Sequence, residues 1–90
     1  MAFVAITLRV MPTSPSVDMV KLKENVQKRV NEIGGNFHSA KEEPIAFGLN
    51  ALVCLITWNE SKDPDVIETE IAKVPDVNSV QITDVRRMLG

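Results

Sequence analysis

Ile45-Ala46-Phe47-Gly48-Leu49-Asn50-Ala51-Leu52-Val53-Cys54-Leu55-Ile56-Thr57-Trp58 is the stretch that decides the fold. Leu49, Ala51, Val53 and Leu55 fall on one side at period two, and Leu52, Cys54 and Ile56 fall on the other. A strand apolar on both faces belongs at the centre of a sheet, so residues 45–58 are expected to form a central strand. Just upstream, Asn36 to Glu43 reads as a weaker strand, with Phe37 and Ser39 facing one way and His38 and Ala40 the other. Its polarity and its Lys41-Glu42-Glu43 end mark a sheet edge, where charge discourages edge-to-edge pairing. Pro44 lies in or near the turn between them.

Each strand of this hairpin is flanked by a helical pattern. Met19, Leu22, Val26, Val30 and Ile33 recur at spacings of 3, 4, 4 and 3, one apolar stripe of a helix. Ser16 is placed to cap it, and Asp18 in the first turn suits the positive end of the dipole. Gly34-Gly35 ends it. Downstream, Asp63-Pro64 is a paired start signal, Ile67, Ile71 and Val74 form a short stripe, and Pro75 stops it. Outside the helices, residues 2–11 alternate, with Val4, Ile6, Leu8 and Val10 on one face. The stretch Pro12 to Ser16 breaks that strand. Val77 to Arg86 forms a last strand, with Val80 and Ile82 inward and Asp84 beyond them.

The order is therefore β-α-β-β-α-β. This is the α+β, ferredoxin-like sandwich: a four-stranded antiparallel sheet, spatial order 4-1-3-2, with two helices on one face. Residues 1–90 are read as a single domain. Apolar residues make up 44% and charged residues 24%, which excludes a disordered chain. No signal peptide and no membrane span are legible, and the lone Cys54 fits a reducing compartment, so a cytoplasmic protein is expected.

Most chemistry is excluded by what is missing. His38 and Cys54 are one histidine and one cysteine, too few for a zinc site. No glycine-rich loop precedes a helix to cradle phosphate. Glu42 and Glu43, as strand neighbours, point apart and cannot share a proton. The loop after the first strand lacks the arginine that acylphosphatase chemistry needs. A net charge of −2 and the absence of a basic-Gly-aromatic run argue against RNA binding. No cofactor, no metal and no catalytic residue is expected. Cys54 reads as a buried, inert thiol and His38 as a solvated edge residue.

Two segments remain. In Pro44-Ile45-Ala46-Phe47-Gly48-Leu49, the glycine marks a bulge or close backbone approach. Phe47 is then either an apolar anchor projecting from the hairpin or a core phenylalanine beside a bulge. In Thr83-Asp84-Val85-Arg86-Arg87-Met88-Leu89-Gly90, the arginines are either solvated charge or a binding end.

These segments carry a family resemblance. Val4-Ala5-Ile6-Thr7-Leu8-Arg9-Val10-Met11-Pro12 with Val17-Asp18-Met19, then Glu42 to Leu49, then Thr83 to Met88, resemble in order and spacing the archaeal type of translation elongation factor one-beta, over essentially the full chain. The resemblance implies a guanine nucleotide exchange factor. It would bind elongation factor one-alpha in its GDP form, promote GDP release and GTP loading, and do no covalent chemistry. It would be monomeric when free and contact no nucleic acid. By the same resemblance Phe47 enters an apolar pocket on the GTPase, and Pro44, Ile45, Gly48, Asp84, Arg86 and Arg87 join it as partner-binding residues. Eukaryotic members carry a lysine near the C-terminal end that disturbs the Mg²⁺ and phosphate region; Gly90 stands at that position here, leaving Arg86 and Arg87 to supply positive charge. Since the last two strands run the same way, Phe47 and Arg86-Arg87 are expected about 25–30 Å apart, gripping the partner at both ends. The competing expectation is a ferredoxin-like regulatory or assembly domain that pairs through sheet faces or edges.

Overall fold

The computed structural model describes residues 2–88. Its order is β1 (Phe3–Pro12), α1 (Met19–Glu32), β2 (Asn36–Pro44), β3 (Asn50–Asn59), α2 (Asp65–Ile71) and β4 (Val77–Arg87). All pairings are antiparallel and the sheet order is β2-β3-β1-β4, so β2 and β4 are the edges, as the sequence predicts.

Ile6, Leu8 and Val10 of β1 and Leu52, Cys54, Ile56 and Trp58 of β3 point to the helix side and are buried. Against them pack Leu22, Val26 and Val30 of α1 and Ile67 and Ile71 of α2. Period two in the strands and 3.6 in the helices thus meet in one layer of core. Cys54 is fully buried, and burial pushes its thiol up to about 12, only partly opposed by the charge of Lys23. It is the inert thiol that its apolar surroundings predict.

The end of α1 sets how closely that helix approaches the sheet. Gly35 donates its N–H to Val30 O and Gly34 to Asn31 O, the two bonds of a Schellman cap, with Gly34 at φ +95°. A methyl group on Gly35 would lie 3.0 Å from Val30 and 3.2 Å from Trp58, so any side chain there would press the helix end and the Trp58 ring apart by a few tenths of an ångström. Lys62 then donates to Ile33 O and lies 5.1 Å from the centre of the Trp58 ring.

Six expectations need correction. Helix α2 ends at Ile71, so Val74 packs on the core from the turn beyond it, and Pro64 rather than Asp63 stands at the N-cap, Asp63 accepting the Asp65 N–H in a local turn. Asp18, not Ser16, caps α1: its carboxylate accepts from the N–H groups of Val20 and Lys21, while the Ser16 hydroxyl bonds Ser14. A charged acceptor on free N–H groups outcompetes a neutral hydroxyl two residues earlier. The central strand begins at Asn50 rather than Ile45, because residues 45–49 turn the chain. The remaining two are bulges. His38 is the extra residue between Phe37, opposite Ile56, and Ser39, opposite Leu55, so Phe37 and Ala40 both face the core instead of opposite faces. Thr83 is the extra residue between Ile82, opposite Leu8, and Asp84, opposite Thr7. It reverses the alternation, so Asp84 leaves the face of Val80 and Ile82 and joins the open face of the sheet.

Candidate functional site

The connection between β2 and β3 is where the hairpin becomes chemically unusual. Leu49 donates its N–H to Ala46 O at 2.9 Å, closing a four-residue turn, and Ile45 donates to Leu49 O at 2.9 Å. Both central residues are left-handed, Phe47 at φ 55° and Gly48 at φ 77°, as in a type I′ turn. Glycine takes that conformation freely. A phenylalanine there costs on the order of 1 kcal/mol, because its Cβ crowds the backbone.

Nothing inside the protein offsets that cost through the ring. Phe47 is 95% exposed, the most exposed large apolar side chain among the described residues. It is not a core phenylalanine. Ile45, beside it, is also exposed. A methyl group on Gly48 would lie 3.8 Å from Pro15, so the β1–α1 loop runs directly alongside the turn. That loop is fixed in turn by Thr13, which donates to Asp76 O at 2.9 Å.

At the other end of the sheet stand the arginines, and the structure separates them. Arg86 lies opposite Ala5 on the open face, where its guanidinium bonds Asp84 at 2.9 Å. Arg87 lies opposite Val4 and reaches Glu60 at 3.2 Å. Both are well exposed, so these pairs are screened and readily exchanged for a partner's groups. Arg86 is level with Thr57 through Ala5, whereas the turn precedes Asn50. Seven strand residues plus the turn put Phe47 and Arg86 about 25–30 Å apart. Leu89 and Gly90, including the position matching the eukaryotic lysine, lie outside the described residues.

His38 is exposed, with Nε2 3.2 Å from the Thr57 hydroxyl. Among the described residues no group of three or more His, Cys, Asp or Glu side chains is arranged to hold a metal. Among the described residues no helix is long and apolar enough to cross a membrane. What the sequence did not disclose is how Phe47 is presented; the signal was Gly48, whose left-handed preference extends to a turn with its neighbour.

Comparison with known proteins adds a family. Residues 5–88 match the EF-1 guanine nucleotide exchange domain. Proteins called elongation factor 1-beta align over nearly the whole chain. That of Methanosarcina mazei is 43% identical, covering 98% of this chain. Those of Methanobrevibacter smithii and Methanothermobacter thermautotrophicus are 41% and 39% identical, each covering 99%. All three relatives are matched over 100% of their own length.

Proposed function

This chain belongs to the EF-1 guanine nucleotide exchange domain family, and on that premise we propose that it promotes GDP release and GTP loading on elongation factor one-alpha during translation elongation. The observation that carries the reading is Phe47, an aromatic held in a left-handed turn with 95% of its surface in water. A solvated phenylalanine in a strained backbone stabilises nothing in the free protein. It becomes favourable when a pocket on a partner takes the ring, which contributes on the order of 2 kcal/mol or more to binding.

The mechanism is linkage rather than covalent chemistry. The complex with nucleotide-free GTPase is favoured over that with GDP-bound GTPase, so binding of one weakens the other by the same factor. Tight GDP holding rests on Mg²⁺ and on contacts to the phosphates. Phe47, with Pro44, Ile45 and Gly48 shaping its turn, docks one end of the sheet. Asp84, Arg86 and Arg87 engage the partner at the other end and bring positive charge in place of the lysine of eukaryotic members. A rigid sheet between two contacts transmits a small displacement to the nucleotide region. The whole chain acts as one exchange domain, monomeric when free, in the cytoplasm and without nucleic-acid contact.

Calorimetric titration of this chain into its cognate elongation factor one-alpha, with and without saturating GDP, tests the reading. At least tenfold tighter binding to the nucleotide-free form is expected from typical coupling energies. Equal affinities in the two states would refute exchange activity whatever the strength of binding.

A further inference from the structure

The Phe47 turn stands beyond the support of the central strands. Pairing of β1 with β3 ends at Val10 opposite Leu52, and past it β1 pairs with β4 instead. The β2–β3 ribbon runs on through Glu43 opposite Ala51 and Pro44 opposite Asn50, then turns through residues 45–49. A two-stranded ribbon alone is marginally stable and twists more than a full sheet. The two hydrogen bonds inside the turn fix its shape but not its direction relative to the sheet. What lies against it is the β1–α1 loop: the atom that a methyl on Gly48 would meet, at 3.8 Å, is Pro15 Cβ. That loop is strapped at both ends. Thr13 donates to Asp76 O at 2.9 Å, Val17 donates to Ser14 O at 3.3 Å and packs on the core, and Asp18 caps α1. Asp76 presents its carbonyl from a left-handed backbone, φ 68°. Phe47 and Asp76 are the non-glycine residues with positive φ among the described residues, and they stand at the two ends of one chain of contacts, Asp76–Thr13–Pro15–Gly48–Phe47. Backbone in sparsely populated conformations gathers where a binding element is kept in one geometry.

We propose that Pro15 is a positioning residue for the Phe47 anchor: from the strapped loop it braces the overhanging turn and sets the angle at which the ring meets the GTPase. The proposal rests on the exchange-factor reading above and deepens it. Pro15 suits the role because its ring fixes its own φ, so the brace brings little freedom of its own. Its Cβ meets the turn at an ordinary contact distance, which limits motion toward the loop without straining the turn. An anchor already aimed loses less freedom on docking than one that the partner must order. The brace therefore acts on affinity and leaves the step at the nucleotide to residues at the Arg86 end of the sheet.

The test is release of a fluorescent GDP analogue from the cognate elongation factor one-alpha, measured against the concentration of this chain in a double-mutant cycle with Phe47. Pro15→Gly removes the contacting Cβ and frees the loop. It is expected to raise the half-saturating concentration about fivefold, with less than about a twofold change in the rate at saturation. Pro15→Ala keeps the Cβ and is expected to stay within about twofold of wild type. In the Phe47→Ala background Pro15→Gly should add nothing, because a brace acts only through the ring that it aims. A urea melt of each variant confirms that it is folded under the assay conditions. An undiminished Pro15→Gly effect in the Phe47→Ala background would mean that Pro15 touches the partner itself, and would overturn the proposal. So would wild-type concentration dependence of Pro15→Gly, or equal losses for Pro15→Gly and Pro15→Ala, which would place the effect in loop rigidity rather than in the contact. Failure of the wild type to accelerate release at any concentration would instead overturn the exchange reading, and this proposal with it.

Discussion

The two ends of the sheet hold their exposed residues in opposite ways. At the hairpin end, backbone is strained to put an apolar ring in water, and nothing in the protein touches the ring to reward it. At the Arg86 end the backbone is relaxed around a bulge, and each charged side chain has a partner, Asp84 or Glu60. The first end is preorganised: its conformation is fixed before any partner arrives, so little ordering remains to be lost on binding. The second is adaptable, because exposed ion pairs exchange partners at little cost. Affinity should therefore reside at Phe47, and response to the charged nucleotide region at the arginines.

The largest expected effect is on binding. Phe47→Ala should weaken affinity for elongation factor one-alpha by about 30-fold or more, with the unfolding midpoint nearly unchanged, because the ring packs on nothing at home. Calorimetry on the partner and a urea melt of the free chain check both halves. Phe47→Asn sharpens the contrast. It places the favoured Asn–Gly pair in the turn and should stabilise the free protein by several tenths of a kcal/mol to about 1 kcal/mol while abolishing the anchor. Loss of stability in that variant would show that the left-handed turn is not strained.

Gly48→Ala comes next. A methyl there would meet Pro15 at an ordinary 3.8 Å, so space is not the obstacle; φ 77° is. A cost of about 1 kcal/mol in urea unfolding is expected from the backbone alone. Arg86→Ala and Arg87→Ala should change stability by less than about 0.5 kcal/mol, since both pairs are exposed. Their effect on GDP release should shrink as salt rises.

The smallest effect lies away from both ends. Glu70 receives Lys73 at 2.8 Å and Arg29 at 2.9 Å, linking α2 to α1. The hydrogen bond from Lys73, with the charge of Arg29, holds its carboxyl below the ordinary 4.5. A lowered value means the pair stabilises above the ordinary value and that contribution is lost as pH falls through the lowered one. Wild type should lose slightly more stability than Glu70→Gln as pH falls from about 5 to the acid limit, in parallel urea melts.

Much of this was legible in the residues. The doubly apolar run after Leu49, the polar strand before it and the stripe from Met19 to Ile33 specify the element order and hence the sheet. Burial of Cys54 follows from its neighbours. The bulges at His38 and Thr83 were not legible, because an extra residue in a strand leaves composition unchanged and shows only in the pairing register. They decide that Ala40 faces the core and that Asp84 and Arg86 share the open face. The exposure of Phe47 was open for a related reason: a phenylalanine beside glycine fits a core bulge as well as a turn, and only the hydrogen bond from Leu49 to Ala46 distinguishes them.

The most direct test of the central claim is GDP release from elongation factor one-alpha with substoichiometric amounts of this chain, wild type against Phe47→Ala. The account predicts multiple-turnover acceleration by wild type that Phe47→Ala matches only at far higher concentration. Equal acceleration by both would contradict the assignment of the anchor, and no acceleration by either would contradict the function itself.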